Sequence, residues 1–137
     1  DYPLHAGLQR WIKDLNRIYQ NEPALYQNDF NFTGFEWIDC NDTSQSTLSM
    51  IRKGNSWKDT FIVVCNFTPI PHPRYRIGAP NGGMWREVLN SDAREYGGSG
   101  QGNMGAVEAA PISSHNFPYS LTLILPPLAV VFLKGNR

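Results

Sequence analysis

Phe61-Ile62-Val63-Val64-Cys65-Asn66-Phe67 is apolar at almost every position. A strand with one face in water alternates apolar and polar side chains, and this one does not. The run therefore predicts a central strand, covered on both faces. Working outward, short β-branched and aromatic runs recur, separated by Gly, Pro, Asn and Asp. Phe35-Glu36-Trp37-Ile38-Asp39-Cys40 and Thr47-Leu48-Ser49-Met50-Ile51-Arg52 precede it, with Lys53-Gly54-Asn55-Ser56 as a turn. Tyr75-Arg76-Ile77 is a short run, and Trp85-Arg86-Glu87-Val88-Leu89 follows the turn Pro80-Asn81-Gly82-Gly83. Leu121 to Leu125 and Ala129 to Leu133 flank a Pro126-Pro127 break. About seven strands at roughly ten-residue spacing predict a mainly β fold, an antiparallel β-sandwich.

The first 20 residues differ. Leu4, Leu8, Trp11, Ile12, Leu15, Ile18 and Tyr19 recur at spacings of three and four, which predicts one amphipathic helix ending at Pro23. Its apolar face needs a partner, either this chain's own sheet or a surface outside these residues. At the other extreme, residues 90–118 fit no strand pattern and hold Gly97, Gly98, Gly100, Gly102 and Gly105. So long a loop is read as functional or as pinned against another domain.

Composition narrows the function. Twelve Lys and Arg balance twelve Asp and Glu in 137 residues. Without a basic surplus there is little to neutralise phosphates, so no nucleic-acid partner is expected. No apolar run approaches the roughly 20 residues of a membrane span, and no membrane partner is expected. The first residues, Asp-Tyr-Pro-Leu-His, carry neither a basic segment nor an apolar signal segment. That points to a cytoplasmic setting.

Most motifs of chemical appearance lack their context. Gly100-Gln101-Gly102-Asn103-Met104-Gly105 has the G-x-G-x-x-G spacing, but no strand leads into it and no helix follows. It reads as a structural loop. Gly97-Gly98-Ser99-Gly100-Gln101 departs from the G-x-S-x-G nucleophile elbow. Asn31-Phe32-Thr33, Asn41-Asp42-Thr43 and Asn66-Phe67-Thr68 are chance glycosylation sequons. Cys40 and Cys65 could pair only across adjacent strands; they are read as reduced, small buried hydrophobes. His5, His72 and His115 are scattered, so no metal is expected. Glycoside chemistry needs two carboxylates across a cleft. Nothing pairs Asp29, Glu36, Asp39, Glu87, Asp92, Glu95 and Glu108, which read as solvated groups or caps.

Aromatics are the better lead. Trp37 and Phe35 share a parity along their strand. With Phe35 facing the core, Trp37 would sit near the domain edge with one ring face open. An open indole is a platform for the apolar face of a pyranose. Trp57, beside a turn, is a second candidate, and Trp85 reads as core.

The blocks His5-Ala6-Gly7-Leu8-Gln9-Arg10-Trp11, Asp14-Leu15-Asn16-Arg17-Ile18-Tyr19 and Glu22-Pro23-Ala24-Leu25 carry a resemblance. So do Gly34-Phe35-Glu36-Trp37, Asn66-Phe67-Thr68-Pro69, Tyr75-Arg76-Ile77-Gly78, Trp85-Arg86-Glu87, Leu89-Asn90-Ser91-Asp92, Tyr96-Gly97-Gly98-Ser99-Gly100 and Leu125-Pro126-Pro127-Leu128. Together they resemble the C-terminal region of bacterial-type 1,4-α-glucan (glycogen) branching enzymes of the α-amylase superfamily, over essentially the whole chain. The resemblance implies that residues 1–22 are the last helix of a (β/α)8 catalytic barrel and residues 23–137 a C-terminal β-sandwich. It implies α-1,4-glucan (glycogen, amylose) as a partner, along with an upstream barrel of the same protein. It implies no cofactor. The family's catalytic carboxylates lie on barrel strands, so no residue here inherits a catalytic role. Members carry oligosaccharide sites away from the cleft, and Trp37 of the Gly34-Phe35-Glu36-Trp37 block is the position expected to serve as one here. The alternative is a free-standing glucan-binding module without enzyme activity.

Overall fold

A computed structural model describes residues 2–135. Helix α1 runs Pro3–Asn21 and a single-turn helix α2 runs Pro23–Tyr26. Eight strands follow: β1 Phe35–Asp39, β2 Thr47–Lys53, β3 Thr60–Asn66, β4 His72–Ala79, β5 Gly83–Asn90, β6 Ala106–Ala109, β7 Tyr119–Leu125 and β8 Ala129–Gly135. Six form one sheet in the order β1-β2-β3-β8-β5-β6, and β4 pairs with β7 in a second. Every pairing is antiparallel.

The two-stranded sheet closes over one face of the larger one. β7 alternates as a half-buried strand must: Leu121, Leu123 and Leu125 point in, Thr122 and Ile124 out. With Ile77 and Ala79 they meet Ile38, Ile51, Ile62, Val64, Trp85, Val131 and Leu133. The opposite face of the large sheet is covered by Ala24, Leu25 and Ile18, packed on Phe61, Val88 and Phe132. β3 is thus buried on both sides, Ile62 and Val64 in one layer and Phe61 in the other, as its unbroken apolar run predicts.

Pro23 ends α1 and starts α2 at once. Glu22 before it is extended (φ −106°, ψ 108°), as a residue preceding proline prefers, and Pro23 takes the first helical position, where no N–H is needed. Lys134 at the end of β8 pins this corner through Glu22, 2.7 Å away.

Two strands depart from the sequence reading. β4 is eight residues long, although only Tyr75–Ile77 stands out in the sequence. Pro73 hides its first half, and a register break between His72 and Tyr75 accommodates that proline in the two-stranded sheet. β6 lies inside the 90–118 stretch expected to hold no strand. It is a four-residue edge strand paired only to β5, too short to show alternation.

Helix α1 divides its apolar residues between two surfaces. Gly7 is its one buried residue, and a Cβ there would lie 2.5 Å from the Tyr96 carbonyl oxygen. The helix therefore touches the 3₁₀ turn Arg94–Tyr96 backbone to backbone. Around that contact Trp11 meets Tyr96 edge to face (5.2 Å), Tyr96 Oη donates to Asp14 (2.6 Å), and Arg10 donates to the Glu95 carbonyl (3.0 Å). Burial, with the Asp14 hydrogen bond, holds the Tyr96 phenol well above its ordinary range. One helical face further round, Leu4 (70%), Leu8 (59%) and Ile12 (47%) stay exposed.

Candidate functional site

Trp37 stands on β1, an edge strand of the large sheet. Strand parity sends Ile38 into the core and Trp37 to the opposite face, where it is 46% exposed. Phe35 shares that parity and is 37% exposed, so it does not face the core as expected; Ile38 holds that place. The two rings meet edge to face, centroids 4.9 Å apart and planes at 89°. An edge-to-face pair braces both rings and leaves outer ring surface free for a ligand.

The neighbouring strand fixes the pair in place. Phe35 lies opposite Arg52 and Trp37 opposite Met50. Arg52 donates to the Gly34 carbonyl (3.3 Å) and the Leu25 carbonyl (3.1 Å), and pairs with Asp29. Asp29 also accepts from Tyr19 Oη of α1. The Tyr19 hydrogen bond, then Arg52, lowers the Asp29 carboxyl below its usual range, and Asp29 in turn raises the Tyr19 phenol. One guanidinium thus ties α2 to the start of β1 beside Phe35, and reaches α1 through Asp29 and Tyr19. Glu36 and Lys53 form a further ion pair, 2.5 Å apart, on the other face of β1, the face that Ile38 shares. The result is an aromatic platform bordered by the Arg52–Asp29 pair, suited to a ligand with an apolar face and a polar edge.

The other tryptophans separate clearly. Trp85 is fully buried and donates from Nε1 to the Asn81 carbonyl (3.1 Å), as its strand position predicts. Trp11 is half-buried on Tyr96. Trp57 is 64% exposed, with Lys58 Nζ 5.5 Å from the ring centroid.

Asp92 of the glycine-rich loop and Glu87 of β5 have structural work. Asp92 is buried, not solvated, and accepts from the Ser99 N–H (3.0 Å), the Ser99 hydroxyl and the Gln101 N–H (3.2 Å). Glu87 accepts from the Asn103 N–H (2.9 Å) and side-chain amide (2.8 Å). Asn103 then exchanges two bonds with the Ile124 backbone on β7. The G-x-G-x-x-G stretch is therefore a pinned loop that runs into β6, with no helix after it to receive a phosphate. Sequence reasoning missed these anchors, because a carboxylate binding its own loop leaves no periodic trace.

The remaining motifs resolve on the same basis. Both cysteines are free. β2 lies between β1 and β3, so Cys40 at the end of β1 and Cys65 on β3 are not neighbours. Cys40 is exposed rather than buried; Cys65 is half-buried, and burial pushes its thiol up. Asn66 is buried with its amide saturated: Nδ2 donates to the Ile70 and Pro126 carbonyls, and Oδ1 accepts from the Thr68 N–H and hydroxyl. That sequon is a folded knot, closed to a glycan.

Residues 37–136 match the family model described as alpha amylase, C-terminal all-beta domain. The chain belongs to this family. Its two-sheet architecture is that of an all-beta domain, and the match opens at Trp37 on β1. The α-amylase C-terminal domain does not account for α1, but similar proteins extend across it. The chain is 52% identical over 134 residues (98% of its length) to the 1,4-alpha-glucan branching enzyme GlgB of Aquifex aeolicus. It is 53% identical over 133 residues (97%) to that of Aromatoleum aromaticum, and 52% over 136 residues (99%) to that of Thermosynechococcus vestitus. These alignments cover 21%, 21% and 18% of the respective proteins, so the chain spans about a fifth of the length of the curated relatives it matches. Among the described residues no helix is long and apolar enough to cross a membrane.

Proposed function

We propose that this α-amylase C-terminal domain serves a 1,4-α-glucan branching enzyme, as a non-catalytic support for the catalytic barrel and a weak surface contact for α-glucan. The observation that carries the reading is identity of about 50% to branching enzymes along nearly the whole chain, α1 included. In this reading residues 1–22 are the last barrel helix and residues 23–137 the sandwich. The exposed row Leu4, Leu8 and Ile12 supports that division, because a helix with a second apolar face suits a second packing surface. The cytoplasmic setting belongs to the same proposal, and two free thiols suit a reducing compartment.

The parent reaction would cleave an α-1,4 bond, hold the glucan covalently and pass it to a 6-hydroxyl. Such retention needs two carboxyl groups about 5–5.5 Å apart across the sugar. Here Asp92 and Glu87 are committed to their loop and Asp29 to Arg52, so these carboxylates serve the fold. What the domain offers a glucan is the Trp37–Phe35 platform. A stacked sugar contributes about 1 kcal/mol, by analogy with aromatic pairs. A site built on a few such contacts binds at roughly millimolar strength. That suffices to hold a long chain already engaged elsewhere on one enzyme.

Titration of the chain with maltoheptaose, followed by the indole N–H signals in NMR, tests the surface contact. The Trp37 signal should move and saturate in the millimolar range, and Trp37→Ala should weaken retention on an amylose gel. An unmoved Trp37 signal would remove the sugar-contact half of the proposal.

A further inference from the structure

The β2–β3 hairpin ends in a tip, Gly54 to Asp59, that carries Trp57. The tip is internally tied. The Gly54 N–H donates to the Asp59 carbonyl (2.8 Å), the Asp59 N–H to the Ser56 carbonyl (2.9 Å), and the Lys58 N–H to Ser56 Oγ (3.3 Å). Thr60 Oγ1 donates to the Trp57 carbonyl (3.3 Å). The Asn55 N–H donates to Gln27 Oε1 (2.8 Å), which fastens the tip to the residues after α2. An indole on a floppy loop would lose its binding energy to ordering, whereas this one is held in advance.

Packing does not explain Trp57. It is 64% exposed, while the same end of the sandwich is sealed by Trp85, fully buried beneath Asn81 and Gly82. Lys58 reaches over the ring, Nζ 5.5 Å from its centroid, and forms no ion pair among the described residues. Asn81 borders the same shallow depression. An exposed indole and a free ammonium meet there. That combination meets both demands of a neutral sugar: a surface for its C–H face, and donors for the hydroxyls at its rim. An anionic ligand would call for several cations, and Lys58 is the one at this tip.

We infer that Trp57, with Lys58, forms a second α-glucan contact, separate from the Trp37–Phe35 platform. The inference rests on the glucan-binding reading above, since it takes the same ligand class. It differs in place: Trp37 lies opposite Met50 within the sheet, whereas Trp57 lies past the end of β2. Two weak contacts on one domain let a long chain bind more tightly than either contact alone.

Maltoheptaose titration of the ¹⁵N-labelled chain separates the two sites. The four indole signals are assigned by single Trp→Phe substitutions, with half-buried Trp11 as internal reference. The expected result is that Trp57 moves and saturates, and still does so in the Trp37→Ala variant. Lys58→Ala should raise the half-saturating concentration at Trp57 about threefold, leaving the Trp37 titration unchanged. On amylose-containing native gels, Trp57→Ala should reduce retardation and the double variant should remove it. A Trp57 signal that stays fixed while Trp37 titrates would overturn this inference and leave the first site standing. Equal movement of Trp57 with cellohexaose would also overturn it, as stacking without selection for α-glucan.

Discussion

Asn66 shows how much a single side chain can hold. Its amide has two donors and an acceptor oxygen, and all are used, on Ile70, Pro126 and Thr68. Asn66→Ala would strand the Pro126 carbonyl and the Thr68 N–H, while the Ile70 carbonyl keeps a bond from the Thr68 hydroxyl. Each stranded group costs about 1–3 kcal/mol before relaxation. The expected loss in denaturant unfolding is therefore about 2–4 kcal/mol, and a loss under 1 kcal/mol would show that water replaces the amide. Tyr75 makes a second such case. Its hydroxyl meets both Asp42 and Thr47. The Tyr75 hydrogen bond is the main reason the Asp42 carboxyl lies below its usual range. Burial first, then Asp42, pushes the phenol up to about 12. The signs follow from linkage. The depressed carboxyl stabilises the fold above its unfolded value of about 3.9, and that contribution fades as pH falls further. The raised phenol contributes below about pH 10 and is lost as pH climbs toward about 12. Tyr75→Phe should thus cost about 1–2 kcal/mol at pH 7, with the gap to the parent chain narrowing at both extremes. A gap that stays constant from pH 3 to pH 7 would contradict the coupling.

Among the elements, α1 depends on one missing methyl group. Gly7 lets the helix touch the Tyr96 carbonyl, and Gly7→Ala places a Cβ 2.5 Å from that oxygen. Backbone has to shift, at a cost of about 1–3 kcal/mol as in other overpacked sites. Amide exchange of α1 should accelerate while that of β3 is unchanged; equal acceleration in both would mean that helix and sheet unfold as one unit. The elements also mark where the sequence could be read. β3 was legible because a strand buried on both faces has no polar alternation to blur it. α1 was legible from its 3.6-residue period, although the period does not say that Trp11 and Ile18 dock while Leu4, Leu8 and Ile12 stay outside. β6 was hidden by its brevity and β4 by Pro73. Trp37 was legible as an outward residue, but the parity that turns it outward turns Phe35 outward too. The reading that sent Phe35 to the core overlooked Ile38, which fills that place from the other parity. The Arg52 tie to Gly34, Leu25 and Asp29 was not legible at all, because its partners are 18 to 27 residues away and fall on no shared period.

For the molecule as a whole, the division of labour on α1 makes the sharpest statement. The docked side, Gly7, Trp11, Asp14 and Ile18, belongs to this domain's own stability; the open side, Leu4, Leu8 and Ile12, does not. Replacing Leu8 and Ile12 together by Ser removes apolar surface that already faces water. The stability of the isolated chain should therefore change by no more than about 0.5 kcal/mol. In a full-length branching enzyme built on this domain, the same pair would face the barrel, where each large-to-small change costs about 2–5 kcal/mol. Thermal unfolding of the longer protein should then drop, along with its branching rate measured by iodine staining of amylose. The isolated chain should give no branching with or without the substitutions, since Asp29, Glu87 and Asp92 are spent on holding loops and strands. Two results would break this account: turnover by the chain alone, or equal destabilisation of the short and long proteins. The first would demand a pair of acids across a sugar-sized groove, and the second would mean that the open face of α1 has no second surface to meet.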